Sequence, residues 1–430
     1  LPRFLFVTLV VAFAISFPAT AARVRIVRGD DGSPAAWLRA HAIPLTTVTS
    51  SSDEHDLLPI LPTFAAARII ALGDATHGTH EFFALHNRLV PLLVAHAGVR
   101  TIALEAPYEE MQAVRDYVHG GNEDPATLFA SGDYFFWDTE EMLELVRWLR
   151  EWNAAGNAPP GNVVDFAGID SSHPHPIIDS LVAALQPADP ALAQDVARRY
   201  DCLSAYRDTP LQYQNQSSSS REQCRAAILS IRPLLAAHAV SEELLHAARV
   251  VEQGEETIYG NFANRDQVMA ENLTWLAAHR DGNLVVIGHQ EHFGRGTHHL
   301  PQLPERKSSG AYLNETFGSA YAPVATMTWS GAFNAFGATA GLTLTYPFDP
   351  PQGDDYANDL RTAALPLLFI PLRAAPPFLT APRPLRIGGS TVYTPTPAMS
   401  LTEELASRFD AVVWVETTTA SWLRSWPRRG

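Results

Sequence analysis

Residues 69–83 read Ile69-Ile70-Ala71-Leu72-Gly73-Asp74-Ala75-Thr76-His77-Gly78-Thr79-His80-Glu81-Phe82-Phe83. Four apolar residues stop at a glycine, which reads as a buried strand delivering its carboxyl end to a loop. A helix is expected from about His80 to His96, with Phe82, Phe83, Leu85, Leu89, Leu92 and Leu93 on its apolar side. Arg100-Thr101-Ile102-Ala103-Leu104 is a second apolar run, ending in Glu105-Ala106-Pro107. Another helix follows through Tyr117. Strand, loop, helix, strand and loop in this order make a βαβ unit. Asp74, His77 and Glu105 then lie at the carboxyl ends of neighbouring strands, where open α/β sheets hold their sites.

The pattern continues outward from this unit. Residues 137–153 read as a helix, capped by Asp138 or Thr139 with Glu140 and Glu141 in its first turn. Residues 163–168 form a third strand leading to Asp170. Residues 187–246 are helical but interrupted, and the polar, Ser-rich stretch 212–220 reads as a loop or mobile linker. A long helix over 261–279 carries Arg265 and Asp266 near its start. Residues 283–287 form a fourth strand that ends at Gly288 and His289. Further strands are expected over 321–329, 341–346 and 411–415, and the Pro- and Gly-rich residues 348–400 decorate the site. The fold class is α/β: a central, largely parallel sheet flanked by helices, with an accessory, mostly helical segment. Expected boundaries are a signal peptide over 1–21, a catalytic α/β domain split between 22–185 and 256–430, and the accessory segment over 186–255.

Composition narrows the partners. The 430 residues are 46% hydrophobic and 18% charged, ordinary globular values that supply ample core. The net charge of −15 repels phosphate backbones, so nucleic acid is a poor partner. Arg3, an apolar run over 4–17 and Pro18-Ala19-Thr20-Ala21 resemble an export leader cleaved after Ala21. The run is shorter than the roughly 20 residues that cross a bilayer. A buried strand or helix and an uncleaved anchor are the rival readings. No later segment reads as membrane-spanning, so a soluble periplasmic or secreted protein is expected. In an oxidising compartment Cys202 and Cys224 form a bridge; two free thiols are the alternative.

The chemistry gathers at strand ends. His77 is a natural base, since imidazole titrates near neutrality. Glu105 can orient it or carry a proton. His289 and His292, with Glu291 between them, share the loop after a later strand. Most of the 16 histidines are expected to be surface or satisfied groups. Three strand ends bearing His or Glu nevertheless point to one polar pocket. There is no Gly-x-Ser-x-Gly elbow, P-loop or dinucleotide fingerprint. Ser171 and Ser172 adjoin His173 without implying a triad. His77, His80, Glu81, Glu105, His289, Glu291 and His292 are ligand types suited to zinc, so a metal-dependent hydrolase is one alternative. The spacing of His77, His80 and Glu81 does not match the inverted zinc-protease motif. A non-enzymatic protein binding haem or another small ligand outside the cytoplasm is a second alternative, although a haem pocket has little need of paired carboxylates. The expected site needs neither cofactor nor metal.

Taken jointly, several segments resemble the erythromycin esterase family over about residues 68–425. They are Gly73 to Phe83, Glu105 with its strand, Trp137-Asp138-Thr139-Glu140-Glu141 leading into Trp148-Leu149-Arg150, and Gly168-Ile169-Asp170. Arg265-Asp266 with Met269-Ala270-Glu271-Asn272, Gly288-His289, His292 and Val415-Glu416-Thr417-Thr418 complete the set. The resemblance implies water-mediated hydrolysis of a small-molecule ester or lactone, macrolides among the candidates, without a covalent serine step. The family's base falls on His77, its acidic partner on Glu105, its late-loop histidines on His289 and His292, and its arginine on Arg265. Asp74 stands where the family usually has Glu. One methylene shortens its reach by about 1 Å, a displacement that can cost about a hundredfold. The expected roles are Asp74 and Glu105 tuning His77, and Arg265, His289 or His292 stabilising the oxyanion. Glu81, Asp170 and Glu291 are the expected substrate contacts.

Overall fold

The computed structural model describes residues 32–50, 53–130, 136–155, 163–298, 305–338, 342–392 and 398–424. The expected leader over 1–21 lies outside the described residues. A 10-stranded sheet organises the chain. Its main strands are β1 (Ile69–Asp74), β2 (Val99–Pro107), β3 (Asp165–Asp170), β4 (Asn283–His289), β5 (Tyr321–Gly337), β6 (Leu367–Pro371) and β7 (Ala411–Thr417). They lie in the order β6-β7-β5-β1-β4-β2-β3. Every adjacent pair from β7 to β3 is parallel, while β6 runs antiparallel to β7 and pairs with the short edge strand Ile43–Pro44. β1 sits mid-sheet and is buried along its whole length, which is why it reads as an unbroken apolar run.

Helices cover both faces. The helix His80–His96, here α1, buries Phe82, Phe83, Leu85, Leu89, Leu92 and Leu93 against the sheet and the helix Glu140–Ala154. Each such side chain contributes roughly 1.5–3 kcal/mol when fully buried. α1 is buried on its polar side too, where Arg88 and Asn87 are held by partners. Arg88 pairs with Asp56 at 2.7 Å, and the Asn87 amide donates to the Glu141 carbonyl at 2.9 Å. On the other face, Met269, Leu273 and Leu276 of α2 (Arg265–His279) pack with Phe293, Leu313 and Tyr321.

A separate helical region runs from Pro174 to Thr257 and has its own apolar cluster, including Leu181, Val196, Tyr200, Ile228 and Val251. The structure joins Cys202 to Cys224, with Cα atoms 5.6 Å apart, between two of its helices. The expected linker over 212–220 is mostly helical, in Pro210–Gln214 and Ser218–Leu229. Pro210 pre-sets the first turn of one helix, and the Ser217 hydroxyl caps the next by accepting the Ser220 N–H at 3.1 Å. Serines here end and start helices instead of forming a flexible run. Among the described residues no helix is long and apolar enough to cross a membrane.

Candidate active site

Asp74 ends β1 and stands opposite His289 at the end of β4, and β2 flanks β4 on its other side. The register of β2 against β3 breaks between Leu104 and Pro107. Such irregularities re-aim side chains, and here Glu105 turns across β4. Its Oε2 accepts the His289 backbone N–H at 2.7 Å, and its carbonyl accepts the Trp137 indole N–H at 2.9 Å. Gly288 leaves the necessary room. A Cβ there would lie 2.6 Å from both the Glu105 Cβ and its Oε2.

His77 sits in the loop after β1. That loop is stitched to distant segments: Ala75 N–H donates to Thr326 Oγ1 at 2.8 Å, and the Gly78 carbonyl accepts from Asn334 N–H at 2.9 Å and Ser421 N–H at 2.8 Å. Gly78 permits this close approach, since a Cβ there would meet the Asn334 carbonyl oxygen at 1.9 Å. The His77 ring is almost fully buried. Phe136 stacks on it at 4.6 Å between centroids, and Trp137 meets it edge-on at 5.1 Å. Neither aromatic was singled out from sequence as a site residue.

Four charged or imidazole groups gather around Glu105. His77 Nε2 lies 3.7 Å from its Oε2, an ion-pair separation longer than a hydrogen bond. Arg265 Nη2 donates to Oε1 at 2.9 Å, and His292 Nε2 lies 3.4 Å from the same oxygen. The His77 and His289 ring centroids are 5.2 Å apart. Burial pushes the Glu105 carboxyl up, but His292, Arg265 and His77 together bring it well below the usual range, so it is ionised. Burial pushes His77 down to about 3 against the opposing pull of Glu105, so its ring is neutral near pH 7. Burial, then His292, also lower His289. His292 is raised: burial lowers it, but Glu105 and Asp266 prevail, with the Asp266 carboxylate 2.8 Å from its Nδ1.

The remaining expected residues divide. Asp74 is fully buried and lies beside His86, with Oδ1 3.2 Å from His86 Nε2. Burial, then Glu105, push the Asp74 carboxyl well up, while burial pushes His86 down to about 3. Among the described residues Asp74 pairs with His86, and no ion pair joins it to His77, the ring it was expected to tune. Glu81, an expected substrate contact, is instead tied to Thr419, accepting its N–H at 2.6 Å and its hydroxyl at 2.8 Å; it does not line the cavity described next. Asp170 is buried too and holds Arg265, accepting from its Nε at 2.7 Å. Glu291 does line the cavity and is paired with Arg408 at 3.3 Å. His86 was missed from sequence. Its signal was an imidazole three residues from both Phe83 and Leu89, on the core side of α1.

A cavity of about 910 Å³ opens onto His77, Glu105, His289, His292 and Arg265. Phe136, Tyr259, Phe262 and Ile387 give it apolar walls, the last from the Pro- and Gly-rich region expected to decorate the site. Its size suits a bulky organic ligand. Ser172 and His173 line it but form no triad: Ser172 donates to Asp170, and His173 Nδ1 lies 2.5 Å from Glu110. Among the described residues no three His, Cys, Asp or Glu side chains converge as a group that could hold a metal ion.

This fold and its His–Glu cluster accord with the hydrolases of the esterase superfamily. Residues 94–418 match the family model for erythromycin esterase, and the chain belongs to that family. It is 22% identical to YbfO of Bacillus subtilis over 90% of this chain and 91% of that protein. A shorter stretch is 29% identical to erythromycin esterase type II of Escherichia coli, over 31% of this chain and 30% of that one. Among solved structures, a Bacillus cereus protein superposes with a TM-score of 0.81 at 24% identity, covering 91% of this chain and 98% of the other. A mutant erythromycin esterase in its open conformation gives 0.64 at 17% identity, over 86% and 96%.

Proposed function

We propose that this chain hydrolyses an ester or lactone by His77-assisted attack of water. The observation that carries the reading is the neutral His77 ring beside the ionised Glu105, 3.7 Å away, on the wall of the large cavity. Glu105 favours the tautomer with the proton on Nε2, which leaves Nδ1 as the accepting nitrogen. His77 Nδ1 is buried and has no hydrogen-bond partner among the described residues. It takes a proton from water as the water oxygen bonds to the carbonyl carbon, and Glu105 stabilises the imidazolium that forms. His289 Nδ1 accepts the Glu291 N–H at 3.4 Å, which favours the proton on Nε2. That nitrogen is buried and has no hydrogen-bond partner among the described residues, and in this reading it is the donor for the oxyanion. A donor in that role contributes about 2.7–4 kcal/mol. Collapse breaks the ester C–O bond, and the imidazolium returns its proton to the departing alkoxide. Arg265 and His292 are engaged by carboxylates, so their part is to hold Glu105 and keep it ionised.

The substrate is a small organic ester or lactone, and a macrolide is the first candidate by family. The proposal includes an address outside the cytoplasm, supported by a bridged Cys202 and Cys224 in a compartment where disulfides persist. The test is a hydrolysis screen over macrolides, aryl esters and simple lactones, run beside His77→Ala. The variant is expected to fold and to lose at least about a hundredfold in turnover. Equal rates in the two proteins would remove His77 from the chemistry.

A further inference from the structure

The catalytic cluster occupies only part of its cavity, and one cationic side chain on the remaining wall has no ion pair with any described residue. Three arginines line it. Arg265 is neutralised by Glu105 and Asp170. Arg207 is held by both carboxyl oxygens of Asp179 at 2.9 Å. Arg306 has no ion pair with any described residue, and its Nε–H has no acceptor among the described residues. Its backbone is fixed, because Arg306–Lys307 pairs with Thr297–His298 and Ser308 N–H donates to the Gly296 carbonyl at 3.1 Å.

The Arg306 side chain is half-buried and lines the cavity, so an anion that enters meets a guanidinium that no described carboxylate neutralises. The cavity's own carboxylates do not neutralise it. Glu105 is committed to Arg265 and His292, and Glu291 to Arg408. Asp208 also lines the cavity but is exposed to solvent, so water satisfies it. A guanidinium offers planar paired donors that match a carboxylate or similar oxyanion. We propose that Arg306 is an oxyanion-recognising subsite, and that the substrate is an ester bearing a carboxylate or related anion away from the bond that is cleaved. The substrate assignment rests on the esterase reading of this cavity; the binding role of Arg306 does not.

The test uses phenyl monoesters of straight-chain dicarboxylic acids of increasing length, each matched with the phenyl ester of the corresponding monocarboxylic acid. Phenol release is measured for the wild-type protein, Arg306→Gln and Arg306→Lys. For the chain lengths that span the cavity, Arg306→Gln is expected to lower kcat/KM by about tenfold to a hundredfold on the anionic ester. The uncharged ester is unaffected, and Arg306→Lys retains part of the preference. Calorimetric titration with the matching monoanilides, which keep the carboxylate and resist hydrolysis, reads binding directly. Anilide binding that disappears in Arg306→Gln without ester turnover in any protein upholds the subsite and removes the esterase reading. The subsite is overturned if the anionic ligands behave alike in wild type and Arg306→Gln. It is equally overturned if Arg306→Gln weakens anionic and uncharged partners to the same extent, and thermal melting of both variants confirms that folded protein is compared.

Discussion

Replacing Glu105 by Gln probes the proposed chemistry most directly. The exchange keeps the shape of the side chain and removes its charge. In the transition state His77 becomes an imidazolium with its Nε2 3.7 Å from the Glu105 oxygen. At an effective dielectric constant of about 20, two unit charges at that separation attract by about 4.5 kcal/mol. Loss of that attraction corresponds to about three powers of ten in rate. The neutral ground-state ring feels little of it, so the loss belongs in kcat and leaves KM nearly unchanged. Arg265 keeps Asp170, and an amide oxygen can still accept the His289 N–H, so the fold should persist. The assay is steady-state hydrolysis of whichever ester the wild type turns over, with circular dichroism and melting as controls. A folded Glu105→Gln protein that retains more than about a tenth of wild-type kcat would refute the argument, because the carboxylate would then not be stabilising a cation on His77.

Three other outcomes follow from the geometry. Gly288→Ala forces a methyl group against Glu105; about 1–3 kcal/mol of stability and about a hundredfold in rate should be lost, read by urea titration and kinetics. His77, His86 and His246 are each held down to about 3, chiefly by burial, while their unfolded rings titrate near 6.5. The unfolded chain therefore binds more protons between those values, so this stability is complete above about 6.5 and declines as pH falls, by about 1.4 kcal/mol per pH unit for each ring. His86→Gln should make the decline shallower by that amount, and parallel urea-midpoint profiles would refute it. Cys202→Ser should cost about 3 kcal/mol for a bridge spanning 22 residues, and thiol titration of the denatured, unreduced wild type should find no free thiol.

The sequence alone determined the elements that local periodicity encodes. Unbroken apolar runs marked the buried strands at Ile69–Asp74 and Asn283–His289, and the spacing of Phe82, Phe83, Leu85 and Leu89 marked α1. Strand–helix alternation put His77, Glu105 and His289 at carboxyl ends, and the structure brings those three to one cavity. Caps and partners were less legible. The Ser-rich stretch looked mobile because composition does not say whether a serine caps a helix or fills a loop. Only the tertiary structure decided what each polar group touches. Glu105 meets the His289 amide across 184 positions, and Glu81 meets Thr419 across 338. Asp74 turned to His86, Phe136 covered His77, and Arg306 came to line the cavity through the same long-range packing. Periodicity reports which face of an element is buried. The identity of the group waiting on the other side is set by sheet order and loop closure, which no short window of sequence contains.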